Sequence, residues 1–362
     1  MTKLQLYFLI MFAIMGSCKK KEQDQILPKE NPSGDYLIKD VEGGWVIVKS
    51  ITMMDTVFTI SCGIKASPNN NQVNIKNQIN KMDTAFREIG RIHDMMSSHN
   101  QVGDVYKINS GAGKINISID TWTVLNVSNT ISEKSKGAFD VTWAILRPLY
   151  KIKKPGWKPP DPIVLADTLK KGGFHKLKLT RNGGDYFVEK PENLKIDLGG
   201  IAKGFSLGTA GKMLKSDFLT GFIINGGGDL LVHGSRPDRP WTVGVRHPRS
   251  KQGKLYLKGR INNAAIVTSG DYERYVIIDG KRYSHILDPR TGKPAGGCIS
   301  TTVIGKDPTV ADALATALMV TGLHEGKKLM SEFPDYAWMV FTSDEKEFRS
   351  ANFLNIFSIN TN

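Results

Sequence analysis

The sequence predicts an α+β fold, in which strands joined by tight turns pack with separate helices. Two observations carry this. Between residues 222 and 287 short apolar runs alternate with glycine-rich or Asp-Gly turns, whereas residues 74–96 repeat apolar side chains at helical spacing. The 362 residues, 40% hydrophobic and 23% charged, are ordinary globular composition, enough for a sizeable core in one large domain or two.

The formal net charge of +14 admits nucleic acid, an anionic membrane surface or a phosphate-bearing ligand as partner. The lysines and arginines are scattered, and no zinc-finger, helix-turn-helix or RNP signature occurs, so nucleic acid is disfavoured. Lys3 precedes the apolar run Leu4 to Met15 and then Gly16-Ser17-Cys18. That run is too short to span a membrane and has the layout of a secretory signal. Small residues before a cysteine resemble a bacterial lipobox, although Met15 stands where leucine is usual. Residues 1–17 are therefore expected to be removed and Cys18 to carry lipid, palmitate included. The domain would then be anchored to the cell envelope membrane from the periplasmic side. An ordinary cleaved signal peptide is the alternative. Residues 18–44 read as a flexible tether and 45–362 as the folded part. Cys62 and Cys298 do not make a disulfide framework and read as buried thiols, though one bridge stays open.

Taken in order, Trp45 to Val48 and Thr56 to Ile60 read as strands. Ile75, Ile79, Met82, Phe86 and Ile89 form the stripe of a first helix, a core face. A second helix runs from about Asp120 to Lys136 with Gly137 as its stop, and a third starts at Asp161 as N-cap with Pro162 behind it. Arg147 to Pro160, with Lys151, Lys153, Lys154, Trp157 and Lys158 among four prolines, reads as a solvated insertion. Phe222 to Ile224 and Leu230 to Val232 flank Asn225-Gly226-Gly227-Gly228-Asp229, a hairpin turn. Asp279-Gly280 joins another hairpin, whose second strand carries His285 just before the polar turn from Asp288 to Gly292.

Two stretches carry chemistry. Leu194 to Leu198 alternates like a half-buried strand and runs through Gly199-Gly200 into a helix from Ile201 to Ser216, with Ile201, Phe205, Met213 and Leu214 available for its buried face. The start of a helix favours anions, so Lys203 in the first turn makes better sense beside an anionic ligand or Asp197. A plain strand-turn-helix corner with a solvated lysine is the alternative. In the apolar helix from Val310 to Val320, Asp312 and Thr316 share one face. An oxygen-seeking cation such as Mg2+ would satisfy both, while capping by Thr309 with Asp312 explains only the first.

Taken together these stretches resemble the ApbE family, the FAD:protein FMN transferases. The resemblance rests on Gly137-Ala138-Phe139-Asp140, the run from Asp197 to Gly204, Asn225 to Asp229, Thr268-Ser269-Gly270, His285 to Gly292, and Ala311 to Ala317, in the family's order. Asp55 stands where the family commonly has glycine, and His99 where an aromatic often packs. The resemblance implies one large α+β domain with antiparallel sheets, a T-fold-like core and a flavin cleft. It implies FAD contacts at Met54, Ala138, Phe139, Asp140, Asp197, Lys203, Asn225, Asp229, Ser269, Gly270 and Ile286. Mg2+ would be held by Asp312, Thr316 and the carbonyl of Gly200. The implied reaction moves FMN from FAD to a threonine of an acceptor flavoprotein and releases AMP, with His285 as general base and Asp288 as second candidate. An FAD pyrophosphatase and a non-catalytic FAD-binding lipoprotein are the alternatives.

Overall fold

The computed structural model describes residues 36–53, 56–151, 156–250, 254–278 and 280–359, so Cys18, Met54 and Asp55 lie outside the described residues. Nine strands form one sheet: β1 (Leu37–Val41), β2 (Gly44–Met53), β3 (Thr56–Lys65), β4 (Leu219–Gly226), β5 (Asp229–Gly234), β6 (Ala264–Gly270), β7 (Cys298–Gly305), β8 (Ala337–Thr342) and β9 (Glu347–Arg349). Every pairing is antiparallel, and the strands stand side by side in chain order. Residues 37–41, expected in the tether, belong to the fold: Leu37–Val41 pairs with β2, Leu37 opposite Val48. An edge strand of five residues containing Lys39 and Asp40 is marked only by the neighbour it pairs with.

Four helices pack around the site or beneath it: α1 (Asn71–Met96), α2 (Ile119–Lys134), α3 (Ala202–Met213) and α4 (Pro308–Ser331). The stripe of α1 is core, with Met82, Phe86 and Ile89 fully or nearly buried against Phe58, Ile60 and Cys62 of β3 and Leu207 of α3. Val267, Val303 and Val340 of β6, β7 and β8 face the Ala311–Leu314–Leu318 side of α4. The alternate residues Ile266, Ile304 and Met339 face the opposite way, against Val243 and Val245 from a small three-stranded sheet and Phe357 beside it. The main sheet is thus buried on both faces, helices on one and strands on the other, which is why β7 has no exposed residue.

Local signals set the helix ends. Asp161 accepts from the N–H groups of Ile163 and Val164 ahead of a helix from Pro162 to Leu169. Gly137, at φ 77°, ends the α2 segment in the left-handed region that glycine tolerates. Other expectations are corrected. Ile196-Asp197-Leu198 is in no strand: the Ile196 N–H donates to Asn109 Oδ1 at 2.7 Å and the Asp197 N–H to the Val141 carbonyl at 2.8 Å. Alternation reports half-burial, and loop groups supply the backbone partners here. Met213 points outward while Phe205 and Leu214 are buried. Trp157 is not solvated. Its ring meets Tyr150 and Tyr283 at 5.6 and 5.7 Å, and its Nε1–H donates to the Leu149 carbonyl. His285 follows the hairpin strand Lys281–Ser284 rather than lying in it.

Cys62 and Cys298 are free and buried, and burial pushes both thiols up to about 12. At neutral pH neither forms thiolate while folded. The chain from Lys19 onward is expected to show no reactive thiol toward an alkylating reagent in its native state and two after denaturation. A native chain that labels at once would refute this burial.

Candidate flavin and metal site

The site is built where α3 and α4 cross. Gly204 lies against the first turn of α4 so closely that a Cβ would overlap the Pro308 carbonyl oxygen and lie 2.8 Å from Asp312 Cβ. Only a residue without a side chain lets the two helices meet there. The contact places the Gly204 N–H 2.8 Å from Asp312 Oδ2, so the Asp312 carboxylate caps α3, not its own helix. The N-cap of α4 is Asp307, whose Oδ1 accepts from the Thr309 N–H at 2.8 Å. The capping role considered for Thr309 and Asp312 is therefore overturned. One turn further along α4, Thr316 Oγ1 would lie 3.1 Å from a Cβ on Gly200, and Phe139 Cε2 3.4 Å. Ser269 Oγ is 3.4 Å from Thr316 Oγ1. Gly200, Phe139, Ser269, Asp312 and Thr316 thus surround the start of α3.

Lys203 is paired, but with Asp229 rather than Asp197. Burial would lower its pKa, and the carboxylates of Asp229 and Asp312 more than offset that, holding the ammonium charged. The Asp312 pKa is raised as well, to about 7, which for an acid disfavours the charged form. Burial and then Asp229 raise it, with Lys203 and the Gly204 N–H pulling down. A buried carboxylate held at this cost suits a cation, and the donor set of carboxylate, hydroxyl and peptide carbonyl is hard oxygen throughout. Among the described residues no group of three or more His, Cys, Asp or Glu converges. A cation here would meet a single carboxylate and take further oxygens from phosphate, the habit of Mg2+. The residues fit Mg2+.

The rim is cationic. Arg147 pairs with Asp197 Oδ2, donates to Ser98 Oγ at 3.1 Å and lies over the Trp143 ring. The other oxygen, Asp197 Oδ1, accepts from the Gly199 N–H at 2.8 Å and holds the glycine turn. Burial and the nearby Arg274 charge lower the Arg147 pKa. His285 Nδ1 lies 3.1 Å from the Arg274 carbonyl. A neutral imidazole therefore carries its proton on Nδ1 and presents Nε2 as acceptor. Burial lowers the His285 pKa below 6.5, with the Arg274 and Lys203 charges adding to that. The sequence singled out neither Arg147 nor Arg274 for a role in the site, since loop cations carry no pattern.

A profile of the ApbE family matches residues 54–340. The chain belongs to the ApbE family. An FAD:protein FMN transferase of Vibrio cholerae is 30% identical over 276 residues, 74% of this chain and 81% of that protein. One from Treponema pallidum is 28% identical over 290 residues, 76% of this chain and 80% of the relative. The crystal structure of the ApbE protein from Thermotoga maritima superposes with a TM-score of 0.73 at 27% identity, covering 89% of this chain and 99% of that one. The single α+β domain with antiparallel sheets is that of these ApbE structures.

Against this ApbE frame, several of the expected flavin contacts also have partners within the chain. Asp140 spends both carboxylate oxygens on the N–H groups of Thr142 and Phe174, at 2.7 and 2.8 Å. Asn225 Oδ1 accepts from the Gly228 N–H and shapes its own hairpin. The space over Gly270 is filled by the Tyr272 ring. Asp288, the second candidate base, is engaged by Arg290 through two side-chain bonds of 2.8 Å. Ala138 is buried, whereas Ile286 is half-buried beside His285.

Gly204→Ala is expected to cost about 1–3 kcal/mol or more in denaturant unfolding, since it forces α3 off α4. Gly90→Ala, in α1 with nothing within 4 Å of a Cβ, is expected to stabilise by about 0.5–1 kcal/mol. Equal midpoints for the two variants would contradict the crossing.

Proposed function

We propose that this chain is an FAD:protein FMN transferase, which joins FMN to a threonine of an acceptor flavoprotein and releases AMP. The observation that carries the reading is one constellation at the start of α3: the Gly199-Gly200 turn, the charged Lys203, and from α4 Thr316 facing Gly200 and Asp312 facing Gly204. The positive end of a helix, an ammonium and hard oxygen donors at one point suit a diphosphate. Asp312, Thr316 and the Gly200 carbonyl would hold Mg2+, which when bound supplies charge neutralisation at the diphosphate.

The remaining chemistry belongs to the chain. Lys203 stabilises negative charge on the diphosphate oxygens as the bond between the bridging oxygen and the FMN phosphorus breaks. The acceptor threonine oxygen bonds to that phosphorus, its proton passes to His285 Nε2, and the bridging oxygen leaves with AMP. The Nδ1 contact to the Arg274 carbonyl holds the ring in the tautomer this requires. A lowered His285 pKa keeps the base neutral at pH 7.

The reading is tested with FAD, Mg2+ and a candidate acceptor, following AMP by chromatography and acceptor mass by intact-protein mass spectrometry. AMP with an FMN-sized mass gain supports transfer. AMP with free FMN supports hydrolysis, and FAD that stays bound and intact supports storage. Asp312→Ala is expected to lose Mg2+-dependent turnover and, because it uncaps α3, about 1 kcal/mol of stability while still folding, and unchanged turnover would remove Asp312 from the metal site. Protonation disables the base, so turnover is expected to rise with pH through a midpoint below 6.5. His285→Ala is expected to lower it about 10²–10⁴-fold and erase that limb. Gly16-Ser17-Cys18 supports lipid attachment at Cys18, which Cys18→Ala would abolish in a labelled-palmitate experiment.

A further inference from the structure

We propose that Asp229 is a positioning residue: it does not touch the dinucleotide but fixes the Lys203 ammonium that does. The inference rests on the function proposed above and sharpens it. Asp229 is delivered by the Gly227-Gly228 turn, both glycines at positive φ, 66° and 106°, as the first residue of β5. From there β5 and β6 pair through Ile266–Leu230 and no further. Beyond that pair the Thr268 N–H loses its ladder partner and donates instead to Asp229 Oδ1 at 3.0 Å. The carboxylate substitutes for a peptide carbonyl where the two strands part, which pins one oxygen to the sheet.

The other oxygen meets Lys203 and has no second donor among the described residues. The exposures differ in a way that decides the roles. The Asp229 side chain is 3% exposed and the Lys203 side chain 32%, so the lysine reaches the cleft and the aspartate stays behind it. A lysine ammonium on a four-carbon stem is a mobile point charge. One anchored carboxylate removes that freedom in advance of substrate, and the preorganised charge acts without rearranging during the reaction. Among the described residues, the ionisable groups acting on Lys203 include Asp229, Asp312, Glu273 and His285, and of these Asp229 is in contact with the ammonium.

The test is a cycle of Asp229→Asn, Lys203→Met and the double variant in the full chain with Mg2+. Asparagine keeps the acceptor for the Thr268 N–H and removes only the charge. FAD affinity is read by flavin fluorescence and kcat and KM by AMP release. Lys203→Met is expected to lower kcat/KM about 100-fold and Asp229→Asn about 10-fold, chiefly in kcat. The double variant is expected to match Lys203→Met within about 2-fold, because Asp229 acts only through the lysine. Losses that multiply would overturn the proposal, as would Asp229→Asn folding less stably with kcat unchanged. If Asp229→Asn does not fold, the double variant, which removes both charges, is compared with Lys203→Met alone, and a further loss overturns it equally. Wild type that binds FAD without releasing AMP refutes the transferase reading and leaves the cycle readable in FAD affinity.

Discussion

The backbone contact between α3 and α4 at Gly204 is the constraint on which the site depends. It brings two helix segments closer than any side chain permits, and in doing so turns Asp312 into the cap of a neighbouring helix. The carboxylate satisfies an N–H group that a helix start leaves open. It also stands at the start of α3, where the positive end of the helix dipole favours an anion. Capping, close packing and a candidate metal ligand are one arrangement, so a change that separates the helices removes all three.

Charge at the site is balanced in pairs, each held by a different element. Lys203 answers Asp229, Arg147 answers Asp197, and Arg290 answers Asp288. The partners are unequally exposed: the acids lie behind and the cations forward. A buried acid that keeps a partly exposed cation in place is weak evidence for stability, since desolvation consumes much of the Coulomb gain. It is a good device for presenting positive charge to a phosphate. Burial and the positive charges of Arg274 and Lys203 favour the neutral form of His285.

The flat order of the main sheet explains how distant segments reach one cleft. Because the nine strands follow chain order, long excursions from neighbouring strands come out of the same scaffold. The excursion between β3 and β4 carries α1, α2, Phe139, Arg147 and α3. That between β6 and β7 carries Arg274 and His285, and the one between β7 and β8 is α4. Adjacent connections on a rigid sheet give fixed separations, which a diphosphate-binding site needs.

The sequence by itself determined the local features: the core stripe of α1, the Asp161 cap, the glycine hairpin before Asp229, and the turn into α3. Each depends on residues within a few positions of one another, where spacing and backbone preference decide. It also carried the ordered motifs that mark the family. Only the tertiary structure decided what the motif residues do. Asp140 and Asn225 accept from backbone N–H groups, the Tyr272 ring fills the space over Gly270, Lys203 chose Asp229 over Asp197, and Asp312 capped another helix. Whether a carboxylate meets a ligand, a lysine or an N–H group depends on elements separated by as many as 108 positions, as for Gly204 and Asp312. No local pattern encodes a distance of that kind, because it is set by how closely two backbones pack.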